Sequence, residues 1–221
     1  MIRMRIKVCC MASPAEAEMA VAAGADLIGL VGPMPSGPGI ITARGCREIA
    51  DIAPAWTTPV LLTESDTVEA VIEDVRKSNV RAIQLVRHVD PALHIDLARD
   101  LPGVRRLQVI HVEDRSALDM ISAYGDGPDA YLLDSGRPSQ AELGGTGRVH
   151  DWSISADFVA ASPLPVFLAG GLNPGNVAAA IRQVRPFGID VCSGLRTDDR
   201  LDPKKLAAFM AEIDRATREA P

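Results

Sequence analysis

Two side chains able to move protons close short apolar runs: Cys9 ends Arg5-Ile6-Lys7-Val8, and Asp134 ends Leu132-Leu133. A thiol acts as a base only as its thiolate, and a nearby cation such as Lys7, a helix terminus or a positive cradle favours that form. A carboxyl that keeps its proton is a general acid. Facing each other across a small substrate, the pair would supply the two ends of a proton shuttle. Taken singly, Cys9 also fits a small buried apolar residue, and Asp134 fits a cap for the adjoining Ser135-Gly136 turn.

Further on, Leu168-Ala169-Gly170-Gly171-Leu172-Asn173-Pro174 and Asp190-Val191-Cys192-Ser193-Gly194-Leu195 each run from apolar residues straight into glycine. There the chain must turn tightly while leaving backbone N–H groups uncovered, which suits a phosphate oxygen. Gly170, Gly171, Ser193 and Gly194 are the candidate contacts. A third glycine-rich segment, Gly144-Gly145-Thr146-Gly147-Arg148 before Asp151-Trp152, adds Gly145, Thr146 and Gly147.

These residues need elements that end at one place. Buried runs are expected over Arg5 to Cys9, Leu27 to Val31, Val60 to Leu62, Ala82 to Leu85, Leu107 to His111, Ala130 to Leu133, Val166 to Ala169 and Ile189 to Cys192. Helical spacing follows Ser13 over Pro14 to Ala23 and Thr42 over Ala43 to Ala53. It recurs over Ser65 to Ser78, over Pro174 to Val184 after Asn173, and over Pro203 to Thr217 after Asp202. The helices after the fourth, fifth and sixth strands have no clear signature. Strands alternating with helices over 221 residues predict an α/β chain folded as one (β/α)8 TIM barrel spanning residues 1–221. Alternation alone also fits an open doubly wound sheet, and the eight runs favour closure. In a closed barrel the last two strand-to-helix loops are a common phosphate site.

Hydrophobic residues make up 47% of the chain and aromatics only 4%, which suits Ala, Val, Leu and Ile strands buried on both faces. A net charge of −6 argues against a nucleic-acid or anionic-membrane surface. Met1 to Val8 lacks a signal-peptide core, no run reaches the length of a membrane span, and a cytoplasmic location is expected. Cys9, Cys10, Cys46 and Cys192 match neither a disulfide framework nor a zinc motif, so reduced thiols and no metal are expected.

The chain resembles the phosphoribosylanthranilate isomerase family nearly end to end. Ile6-Lys7-Val8-Cys9, Ala23-Gly24-Ala25-Asp26-Leu27-Ile28-Gly29, Ile83-Gln84-Leu85, Leu132-Leu133-Asp134, Gly144-Gly145-Thr146-Gly147, Asp151-Trp152, Asn176-Val177 and the two later glycine segments carry the resemblance. It implies an Amadori rearrangement in tryptophan biosynthesis, on a small phosphorylated sugar and without a cofactor. Asp134 would protonate the ribose ring oxygen and Cys9 would take the proton from C2. The phosphate would lie on the Gly144 to Gly147, Gly170 to Gly171 and Ser193 to Gly194 loops.

Four positions depart from the family pattern. Gly39 stands where an arginine pairs with the anthranilate carboxylate, Val86-Arg87 replaces His-Gly, Cys10 replaces glycine, and Arg196 stands where an acid is common. Lys7, Gln84, Arg87 and Gly39 are the candidates for touching the rest of the substrate. Arg87 or Arg196 would supply the missing positive charge, unless each is a solvated surface charge. His88 and His111 fit either a site or hydrogen-bonded packing. A divergent paralogue acting on another phosphorylated aminosugar, and a noncatalytic sugar-phosphate binder, are the alternative functions. An epimerase or aldolase lacks a strand-end lysine or metal cluster. Monomer and homodimer both remain open.

Overall fold

The computed structural model describes residues 3–34, 39–136 and 149–218. Strands and helices alternate: β1 (Arg5–Val8), α1 (Pro14–Ala22), β2 (Leu27–Val31), α2 (Ala43–Ile52), β3 (Thr58–Thr63), α3 (Val68–Ser78), β4 (Ala82–Leu85) and α4 (Pro91–Asp100). Then come β5 (Arg105–His111), α5 (Asp119–Tyr124), β6 (Ala130–Asp134), α6 (Trp152–Ala161), β7 (Val166–Leu168), α7 (Val177–Val184), β8 (Gly188–Val191) and α8 (Pro203–Arg218). These eight strands pair in parallel in chain order, β8 closes onto β1 with Val191 opposite Val8, and Arg196–Thr197 and Arg200–Leu201 form a separate two-stranded antiparallel sheet. The expected barrel is present. No described helix is long and apolar enough to cross a membrane.

Local chemistry sets the helix starts. Ser13 accepts the Glu16 N–H, Thr42 the Gly45 N–H and Asp90 the Ala92 N–H, each satisfying a donor the helix leaves free. Two starts fall later than expected. Ser65 is tied to the end of β3, its N–H donating to Thr63 Oγ1 and its hydroxyl to Asp74, so Thr67 caps α3 instead. Asn173 spends its side chain on the Gly175 N–H, and α7 begins only at Val177. The three helices without a clear signature are α4, α5 and α6. Of these α5 has only six residues and follows a 3₁₀ turn over Arg115–Leu118.

Alternation along each strand decides which side chains enter the barrel. On β6, Tyr131 and Leu133 pack outward among the helices, while Ala130 and Leu132 join Leu107, Val109 and Phe167 in the inner core. Asp134, in phase with Leu132, therefore points inward. On β1, Ile6 and Val8 pack outward, so Lys7 and Cys9 turn in; on β8, Ile189 and Val191 pack outward and Asp190 turns in. The same phase on β4, with Ile83 and Leu85 outside, directs Gln84 inward.

Candidate active site

Lys7 is wholly buried, and its Nζ donates to Asp190 Oδ1 at 3.0 Å and to Cys9 Sγ at 3.3 Å. Burial alone would lower its pKa. The Asp190 and Cys9 charges outweigh that penalty and hold Lys7 above its ordinary value.

Cys9 lies below the ordinary thiol range. A hydrogen bond from the Cys10 thiol is the main cause, burial opposes it, and the Lys7 ammonium adds to it. Asp134 moves the other way, to about 6, chiefly because it is buried; the Asp190 charge adds to the rise, while the Ser135 N–H at 2.7 Å and Lys7 oppose it. The Lys7 and Asp190 charges act on both Cys9 and Asp134, and all four side chains turn into the barrel. A thiol drawn toward thiolate beside a carboxyl held toward its acid form is the pattern of an acid–base pair.

The β6, β7 and β8 loops meet beside this pair. Gly170 and Gly171 both have positive φ, +82° and +64°, a conformation that aims successive N–H groups the same way. A Cβ on Gly170 would stand 2.9 Å from the Ser135 backbone nitrogen, and one on Gly194 would collide with the Leu172 carbonyl. The Gly171 carbonyl is fixed by Asn173 and Asn176 side-chain N–H groups at 3.2 and 2.9 Å. Gly145, Thr146 and Gly147 lie outside the described residues.

The departures from the family pattern acquire physical reasons. Gly39 has φ +70°, and a Cβ there would lie 2.7 Å from the Cys10 carbonyl oxygen, so this backbone leaves no room for the arginine that the resemblance leads one to expect. Cys10 has φ +66°, the region that glycine favours. Arg196 is not a solvated charge. Its side chain is 7% exposed, pairs with Glu16 at 2.9 Å, and donates to the Cys10 carbonyl. Arg87 is half exposed and held by Glu64 at 2.7 Å. Gln84 is buried, with no donor to its Oε1 among the described residues. His111 bonds the Val86 carbonyl at 2.9 Å through Nε2, and burial lowers its pKa, which is the packing role.

Sequence reasoning passed over Asp190, Glu16 and the contact between Cys10 and Cys192. Asp190 had a usable signal, an acid inside the apolar run Ile189-Asp190-Val191, since a buried charge requires a partner. Val31, Leu62 and Val86, with Met34 against them, form an apolar patch next to the thiols.

The sequence profile of the family described as N-(5'phosphoribosyl)anthranilate (PRA) isomerase matches residues 6–212. A relative of that name from Methanocella arvoryzae is 35% identical over 214 residues, covering 97% of this chain and 99% of its own. One from Haloferax volcanii is 38% identical, covering 94% and 91%. Among solved structures, the phosphoribosyl anthranilate isomerase of Thermococcus kodakaraensis superposes with a TM-score of 0.80 at 28% identity, covering 99% of this chain and all of the other. With its closed barrel and this likeness over nearly the whole of its length, the chain belongs to the N-(5'-phosphoribosyl)anthranilate isomerase family.

Proposed function

We propose that the protein converts N-(5'-phosphoribosyl)anthranilate to its ketose isomer, the Amadori step of tryptophan biosynthesis, with Asp134 as general acid and Cys9 as general base. The observation that carries this reading is the buried Lys7 Nζ set on Cys9 Sγ at 3.3 Å and on Asp190 at 3.0 Å, with Asp134 turned into the same barrel. Asp134 gives its proton to the ribose ring oxygen; the C1–O bond breaks and the amine nitrogen forms a Schiff base. The Cys9 thiolate then removes the C2 proton, and the electron pair left behind neutralises the iminium as an enolamine. Tautomerisation yields the ketone.

The Gly170–Gly171 and Ser193–Gly194 loops hold the phosphate, with the Gly145-Thr146-Gly147 segment as the third contact that the family resemblance implies. Binding at this remote group fixes C2 between acid and base. The patch of Val31, Leu62 and Val86 suits an aromatic ring. Arg87 is the cation assigned to the carboxylate, from a different strand end than the family's arginine, and Gln84 Oε1 is the acceptor offered to a substrate N–H or O–H. The compartment that fits this biosynthetic role is the cytoplasm.

The test is turnover of N-(5'-phosphoribosyl)anthranilate by the purified protein, together with growth of a strain lacking the isomerase. Conversion and growth are expected. A folded protein that does neither contradicts the assignment.

A further inference from the structure

Cys9, Cys10 and Cys192 belong to one packed cluster. Cys192 Sγ donates to Cys10 Sγ across only 2.6 Å, about half an ångström beyond a covalent S–S bond. Cys10 lies two positions past β1 and Cys192 one past the neighbouring β8, where Val8 pairs with Val191 and the Cys9 N–H bonds the Val191 carbonyl at 2.8 Å, so the backbone register brings them near each other. They differ in access, since Cys10 is buried and Cys192 is partly exposed. Arg196, bonded to the Cys10 carbonyl, lays its positive charge against both sulfurs.

We propose that Cys10 and Cys192 are a redox site, forming a reversible disulfide that withdraws the thiol donor supporting the Cys9 base. The partly exposed Cys192, as its thiolate, attacks a low-molecular-weight disulfide, forming a mixed disulfide and expelling one thiolate. The Cys10 thiolate then attacks Cys192 Sγ and expels the second. Two protein thiols are oxidised, the small disulfide is reduced to two thiols, and the two protons lost by the cysteines go to the departing thiolates. The oxidised Cys10 sulfur carries no hydrogen and cannot donate to Cys9. Among the groups facing Cys9, Lys7 and Asp190 are unchanged by the reaction, so the loss of the Cys10 donor is the change that Cys9 experiences.

The effect on catalysis rests on the reading of Cys9 as the base, whereas the bond itself does not. The experiment treats the reduced full chain with oxidised glutathione, maps the peptides without reduction, and measures Cys9 alkylation by iodoacetamide against pH. The expected result is a Cys10–Cys192 linked peptide with free Cys9, an alkylation profile moved to higher pH with its plateau kept, and a fall of at least ~10-fold at pH 7. Dithiothreitol should reverse all three. Cys192→Ser should alkylate at Cys9 like the untreated protein and ignore glutathione disulfide. A map with no Cys10–Cys192 peptide, a link through Cys9, or an unmoved profile in the linked protein would each overturn the proposal. Absence of isomerase turnover in the reduced protein would instead count against the function, with mapping and alkylation still reading the switch.

Discussion

Lys7 Nζ donates to Cys9 Sγ at 3.3 Å from within the barrel, where no part of the lysine side chain reaches solvent. Such a charge persists only because Asp190 faces it at 3.0 Å. Replacing Lys7 by Met leaves Asp190 buried and alone, which costs about 3–5 kcal/mol of stability. It also removes a cation from Cys9, so the thiol's ionisation moves to higher pH. Thermal melts and the pH profile of Cys9 alkylation check the two effects; a Lys7→Met protein whose Cys9 still alkylates like the wild type would refute the pairing.

Gly29 on β2 packs directly against the Cys9 thiol, and a Cβ there would collide with Cys9 Sγ. Gly29→Ala therefore displaces the sulfur from its place beside Lys7. Overpacking of this kind costs about 1–3 kcal/mol. Turnover should fall at least ~10-fold, since reaction geometry tolerates little misplacement. Steady-state kinetics with a melt on the same sample separate the loss of turnover from unfolding.

Arg196 and Glu16 join the loop after β8 to the start of α1 through a pair that is nearly inaccessible, at 7% and 12% exposure. Glu16 also accepts the Ala12 and Leu201 N–H groups, and these bonds with Arg196 hold its carboxyl below the ordinary range despite burial. Arg196→Ala should cost about 3–5 kcal/mol. Lysine should not restore it, because an ammonium cannot span Glu16 and the Cys10 carbonyl as the guanidinium fork does. A large rise in KM without loss of stability would return Arg196 to the substrate.

Asp134 opposes its own fold at neutral pH. Its folded pKa of about 6 lies above the unfolded value near 3.8, so the unfolded chain binds fewer protons between those values and stability falls as pH rises through them. Asparagine resembles the neutral acid and escapes this cost. Asp134→Asn should raise stability at pH 7 by about 1–3 kcal/mol, with the gain fading below pH ~4. Denaturant titrations at the two pH values decide it; equal effects at both would refute the assigned shift.

Much of this site is legible from residue order alone, for identifiable reasons. Cys9, Asp134, Gly170 and Gly194 stand at transitions from apolar run to loop, and strand ends in a closed barrel converge on one rim. Contacts between distant segments leave no such local trace. Nothing near Arg196 in the chain points to Glu16, and nothing near Gly39 reveals that the Cys10 carbonyl occupies the space of its missing side chain. α3 and α7 start later than residue types suggest because Ser65 and Asn173 are good capping residues in type but are spent on other partners.

The most direct measurement of the acid–base assignment is the pH profile of kcat/KM for wild type, Asp134→Asn and Cys9→Ser. The acid must carry its proton and the base must have lost its own, so the wild type falls at both extremes. Asp134→Asn should lose at least ~10²-fold in turnover with substrate affinity kept, and its residual activity should rise with pH and level off with no alkaline fall. Cys9→Ser should lose at least as much turnover. Wild-type turnover in either variant, or an alkaline limb that survives the removal of Asp134, would contradict the account.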